Sequence, residues 1–304
     1  MKTFWMLVRR EYWEHRMLWI TPAVIAVLLL LAVTSFGAIH ADNLRVDTNF
    51  GNGPTPLTAD VFGFVTLALS MPFYLAAAIL AIIYLADCLY AERRDRSILF
   101  WKSLPVSDRE TVLAKLFTGL VLIPFGCFLA AALTSIGASI AIAIRSTFGL
   151  IGNVPIWNTS AWLHAKGIEL YALVAIVLWY APYAAYLLLA SAWAKRSVYA
   201  WAIIPPVLLA MVERTVFGTQ YVWGLVRRSL GELFRLAFHL TAEVDHAVGT
   251  AGPRLPPPGG HGGGPWAGVD PGALLLSAQF WVGLALAVLM VWAAIALRER
   301  AAEV

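Results

Sequence analysis

Charge is scarce in this chain. Asp, Glu, Lys and Arg supply 13% of its 304 residues, against about 25% in an ordinary soluble domain. Cysteine is nearly missing too: Cys88 lies at the end of one apolar run and Cys127 inside the next. That excludes a disulfide framework, and a thiolate metal centre without further ligands, so both read as small packing residues. There is no G-x-x-x-x-G-K-[ST] phosphate loop and no Gly-Lys dipeptide at all, which removes that route to nucleotide hydrolysis. The HGGG run at His261 to Gly264 echoes a hydrolase oxyanion loop but has no G-x-S-x-G elbow beside it, so it reads as linker composition. The formal charge of +4 is dispersed with no basic face, which excludes nucleic acid as a partner.

What the chain has in quantity is apolar sequence. Hydrophobic residues make up 60%, more than a soluble core uses. Apolar stretches run over about 18–39, 61–86, 116–144, 168–193, 198–212 and 273–297, and most exceed the roughly 18–20 residues that cross a bilayer as a helix. The 13 Trp, 10 Tyr and 15 Phe often fall at the ends of these runs, as interfacial aromatic belts do. The expected fold is therefore an all-α membrane protein, a single domain over 1–304 with six transmembrane helices. The first run follows Lys2, Arg9, Arg10 and Arg16 and is longer than the apolar part of a secretory signal, so it is read as a permanent span. The fifth is short and carries Pro205 and Pro206, which favour a kink. No internal repeat suggests two inverted halves.

Six spans place both termini on one side. Most of the 22 Lys and Arg cluster before the first span, between Arg93 and Lys115, at Lys195 and Arg196, and at Arg298 and Arg300, which predicts cytoplasmic termini. The segment 42–60, with Gly51, Gly53, Pro54 and Pro56, then reads as an external loop, and 255–266 as an external Pro/Gly linker. Between 222 and 240, Val222, Val226, Leu230, Leu233, Ala237 and Leu240 recur at helical spacing opposite Arg228, Glu232, Arg235 and His239. That pattern predicts an amphipathic outer helix, lying on the interface, dipping back into the membrane or packing on the loops. His239, Glu243 and His246 share one helical face, but without a fourth ligand they do not make a metal site.

The longest inside connection is the informative one. Glu92 to Arg96 is a dense charge cluster; Ile98, Leu99, Phe100 and Trp101 follow as a large apolar block; Leu104 and Pro105 break the chain; and Ser107 with Glu110 forms a capping box. Leaving those four apolar side chains in water forfeits roughly 1.5–3 kcal/mol each. They lie either on the inner lipid surface or in a groove on a soluble partner.

Here the sequence resembles the permease subunits of ABC-2 type transporters. Glu92, Arg93, Ser97, Ile98, Leu99, Leu104, Pro105, Ser107 and Lys115 match, in order, that family's pattern between its second and third spans. The extra charges Arg94, Asp95 and Arg96 depart from its commoner form. The resemblance implies an interfacial elbow helix at the N-terminus, where Phe4, Trp5, Val8 and Tyr12 recur at helical spacing. It also implies re-entrant outer helices between spans five and six, and a coupling helix contacting a cytoplasmic ATPase through residues Glu92 to Lys102 with Leu104 and Pro105. ATP and Mg would be bound by that separate subunit, a second permease chain would complete a dimer, and an unidentified substrate would be exported across a bacterial inner membrane. No cofactor or catalytic residue is expected in this chain. A sensor or immunity protein on the same scaffold is the alternative, and a membrane-embedded enzyme a further one, although no paired acid, nucleophile or metal cluster supports it.

For a substrate cavity the candidates are Trp179, Tyr180, Tyr183 and Tyr186, whose spacing gives one face of aromatic rings; the same stripe also serves as helix packing. Glu213 and Arg214 are candidates for an outer gate, or they mark where the fifth helix emerges.

Overall fold

The structure is a computed structural model. It describes residues 2–35, 59–95, 106–148, 157–194, 197–219 and 271–300, together with 224 and 233. All regular structure among the described residues is helical: α1 (Lys2–Glu14), α2 (Met17–Ser35), α3 (Ala59–Arg94), α4 (Asp108–Phe117), α5 (Ile123–Thr147), α6 (Thr159–Trp179), α7 (Ala181–Trp193), α8 (Val198–Val212), α9 (Pro271–Leu276) and α10 (Ala278–Arg300). A π-helical turn, Thr118–Leu122, joins α4 to α5 without interruption, and a second, Glu213–Phe217, extends α8. Six helices are long and apolar enough to cross a membrane, the described residues giving Met17–Ser35, Val65–Arg94, Asp108–Thr147, Thr159–Trp179, Val198–Val216 and Ala278–Arg300. Six such helices are the signature of a multi-pass membrane protein.

Local chemistry explains where the helices start and break. Ser107 caps α4 by accepting a hydrogen bond from the Glu110 N–H at 3.2 Å, as the capping box predicts. Asn158 caps α6 by accepting from the Ala161 N–H at 3.0 Å. The fourth helical segment therefore begins well before the apolar run at Ile168 and takes in Lys166. It is also not one helix. Tyr180 leaves helical geometry at φ −92°, ψ 5°, next to Pro182, whose ring nitrogen cannot donate to the preceding turn. The Tyr180 N–H still donates to the Ile176 carbonyl, and the Tyr180 carbonyl accepts from the Ala184 N–H, so α7 resumes directly.

The core forms around α3. Phe73, Tyr84, Leu85, Cys88 and Leu89 of α3 are buried with Val112, Ile123, Cys127, Leu188 and Ala294. Both cysteines are free thiols in this core, used there as compact apolar groups. Where the π-helical turn crosses α3, a Cβ at Gly119 would fall 2.5 Å from a Leu85 methyl, so any larger residue there would force the buried Leu85 side chain to move. Two helix pairs run parallel. Ser70 and Leu89 of α3 meet Glu169 and Ser191 along α6 and α7. Along α2, Leu30 lies against Gly137 of α5, and the Val33 and Thr34 carbonyls accept from Arg145.

The other faces are apolar and uncovered. In α8 only Val198 is buried, packed with Ala86 and Ala194, while Ile203, Leu208 and Met211 stand exposed. Water would penalise such a surface, and the hydrocarbon of a bilayer does not.

Candidate functional site

The last turn of α3, the start of α4, α1 and the last turn of α10 meet at one end of the bundle, here called the near end. Glu11 lies on the buried face of α1, in register with Leu7 and Val8, which pack against Ala114 of α4. Lys115, 3% exposed, reaches Glu11 Oε1 at 2.8 Å and Glu92 Oε1 at 3.1 Å. The second oxygen of Glu92 accepts from Arg298 Nη1 at 2.6 Å, and Arg298 Nε donates to Asp108 at 2.7 Å. Tyr84 closes the network by donating its hydroxyl to Glu11 at 2.8 Å. Three carboxylates and two cations from four helices thus pair with one another, Glu11, Glu92, Lys115 and Arg298 buried and Asp108 at the partly exposed edge. Arg93 extends the tie to α7 by donating to the backbone carbonyls of Ser191 and Ala194.

Burial would raise the Glu11 carboxyl. The charge of Lys115, with hydrogen bonds from His15, Lys115 and Tyr84, outweighs it and holds the group well below the usual carboxylate range. A depressed folded-state value stabilises the fold above the unfolded value and is lost as pH falls through the folded one. Resistance to unfolding should therefore be steady at neutral pH and decline below about pH 4, where an unfolded carboxyl takes up its proton. Glu11→Gln should flatten that acid limb, read from SDS unfolding of the wild type and the variant at several pH values.

A second cluster sits at the far end. Lys166 of α6 contacts both oxygens of Glu169, three residues on, at 2.9 Å. Glu169 accepts the Ser70 hydroxyl at 2.9 Å and the Tyr74 hydroxyl at 2.9 Å. Lys166 also donates to Ser70 at 3.0 Å. Lys166, Glu169 and Ser70 are 5%, 3% and 1% exposed, so the ion pair is fully withdrawn among apolar helices. Along α3, Ser70 and Glu92 are separated by about 33 Å at 1.5 Å per residue. That is close to the hydrocarbon thickness of roughly 30 Å, so the two charge clusters lie about one hydrocarbon thickness apart along the bundle.

Of the residues singled out from sequence, the structure draws Glu92 and Arg93 inward and leaves Arg94 and Asp95 exposed, paired with each other at 3.1 Å. Arg96, Ser97, Ile98, Leu99, Phe100, Trp101, Lys102, Leu104 and Pro105 lie outside the described residues. So do the 42–58 part of the external loop, the 255–266 linker, the trio His239, Glu243 and His246, and the outer amphipathic segment apart from 224 and 233. Leu233, one of that segment's apolar positions, is buried against Ala175, Trp179, Leu274 and Phe280. The aromatic stripe is divided by the break at Tyr180. Trp179 is buried in that same cluster, the Tyr180 and Tyr183 rings lie 5.8 Å apart, and Tyr186 donates to the Ala202 carbonyl of α8 at 3.1 Å. Tyr186 thus helps pack α7 on α8. Glu213 accepts from the Thr219 hydroxyl at 2.8 Å on the π-helical turn, and Arg214 is exposed.

Sequence reasoning passed over Glu11, Asp108, Lys166, Glu169, Ser70 and Tyr74 as site residues. Two signals were available: a carboxylate at helical spacing from Phe4 and Val8 on the apolar side of α1, and an opposite-charge pair three residues apart in an otherwise apolar helix. On α1 the buried side turns toward Leu7, Val8 and Glu11, while Trp5 and Tyr12 are exposed. Comparison with protein families, curated proteins and solved structures finds no match to this chain.

Proposed function

We propose that this chain is the membrane subunit of an ATP-driven exporter of the ABC-2 type, moved by a separate cytoplasmic ATPase. The observation that carries the reading is the near-end network. The connection that bears the family-like pattern leaves α3 just after Glu92 and enters α4 at Asp108, and Arg298 contacts both residues. Lys115 links the same network to α1. A displacement imposed on that connection would therefore act on α1, α3, α4 and α10 together, which is the mechanical requirement of a coupling element. In this reading α1 is the elbow helix at the cytoplasmic interface and both termini are cytoplasmic. A second permease chain completes the transport path, and ATP and Mg are held by the partner subunit.

Ile98 to Trp101 would fill a groove on the ATPase, with the neighbouring arginines fixing its register. In this reading hydrolysis belongs to the partner subunit, and the work of this chain is to convert closure of the ATPases into reorientation of the spans. Export is the direction the family resemblance favours.

The test is co-expression with candidate phosphate-loop ATPases from the same genome, any encoded next to this chain being tried first. The wild-type pair should copurify, and Trp101→Asp should lose the ATPase while the permease remains monodisperse and thermally unchanged. Undiminished ATPase binding by Trp101→Asp refutes the assignment. ATP-dependent substrate movement in vesicles carrying both subunits separates export from a sensing role on the same scaffold.

A further inference from the structure

A groove of about 470 Å³ lies between α2 and α5. Small residues line part of it, Ala23 and Ala26 on one side and Gly126 and Ala130 on the other. Apart from Tyr12 and Trp19 at the near end, its one polar side chain is Thr134, whose hydroxyl is spent on the Ala130 carbonyl of its own helix at 2.7 Å, so the body of the trough offers a ligand no polar group to satisfy. It is a wedge, bordered by Tyr12, Leu18 and Trp19 at the near end and running up to Leu30 and Thr134. There α2 and α5 close on each other, Leu30 standing 3.2 Å from where a Gly137 side chain would begin.

The length of the wedge distinguishes its occupants. From Leu18 to Leu30 the trough extends about 18 Å along the helix, one leaflet of a hydrocarbon layer roughly 30 Å thick. A transmembrane helix from another copy would have to continue past the closed end, whereas an acyl chain ends at mid-membrane. The mouth is suited to an anionic headgroup. Arg9 and Arg16 are exposed, each three residues before one of the mouth aromatics, Tyr12 and Trp19, and no carboxylate among the described residues pairs with either. Tyr and Trp at this level are the side chains that seat at a headgroup boundary.

We propose that this groove is a binding site for one acyl chain of an anionic phospholipid, its phosphate held by Arg9 and Arg16. The site requires that α2 and α5 lie in a bilayer, and it stands independently of the exporter reading.

Native mass spectrometry of the detergent-purified full chain, titrated with phosphatidylglycerol or with phosphatidylcholine of the same acyl chains, tests it. Phosphatidylglycerol should be retained about ten-fold more tightly, in line with two basic side chains at a headgroup. Arg9→Gln with Arg16→Gln should reduce the two lipids to parity. Gly126→Leu, whose new side chain meets open space, should fill the trough and lower retention of both lipids several-fold at an unchanged melting temperature. Ala26→Leu, on the facing helix, should do the same. Equal retention of the two headgroups by the wild type, or wild-type lipid retention in both filling variants, overturns the proposal. Loss of a dimer in those variants with lipid retention intact also overturns it and makes the groove a contact between copies.

Discussion

Lys115→Met should destabilise the protein by about 3–5 kcal/mol, the cost of stripping the partner from buried charges. Glu11 and Glu92 both face Lys115, at 2.8 and 3.1 Å, and neither has water to turn to. Glu92 keeps Arg298, so most of the loss falls on Glu11, left with Tyr84 and His15. The discriminating control is therefore Glu11→Gln combined with Lys115→Met. Removing both charges should recover much of the stability, because a matched apolar or neutral replacement often equals a buried ion pair. A double-mutant cycle in SDS unfolding reads the coupling directly. Additive losses would show that Glu11 and Lys115 do not depend on each other.

The far-end cluster gives the second large effect. Lys166→Met strands Glu169, 3% exposed, with only the Ser70 and Tyr74 hydroxyls, and the same mechanism predicts about 3–5 kcal/mol. Lys166→Met with Glu169→Leu should restore stability. That stable double variant then tells folding from function. Ionisable groups at membrane depth are retained mainly where they serve a path or a gate, so under the proposed exporter function ATP-driven transport by the double variant should fall by ten-fold or more. Wild-type transport would assign the cluster to packing alone.

Much of this was legible in the sequence, and the reason is the solvent. In hydrocarbon every backbone group must be bonded within its own segment, so apolar run length converts directly into helices. The run from Val198 to Val212 coincides with α8. Where a helix is partly polar the conversion fails at its ends. Asn158 to Gly167 carries a cap, a histidine and a lysine, and the apolar run hides that α6 has already begun. The Ser107 cap was readable because it acts over three residues. The near-end network was not, since Glu11, Glu92, Lys115 and Arg298 are brought together only by the packing of four helices. Glu92 and Lys115 stood out for their place in a pattern, and nothing local distinguished Arg298 from other cations at helix ends.

The two clusters also differ in when they can form. Lys115 finds its counter-charges on α1 and α3, so it stays unneutralised until separate segments have come together. Lys166 carries its counter-charge one turn along its own helix, and the pair can close while that segment is still alone. During biogenesis α6 can thus enter the membrane as a nearly neutral rod, before Ser70 and Tyr74 are in place to receive it.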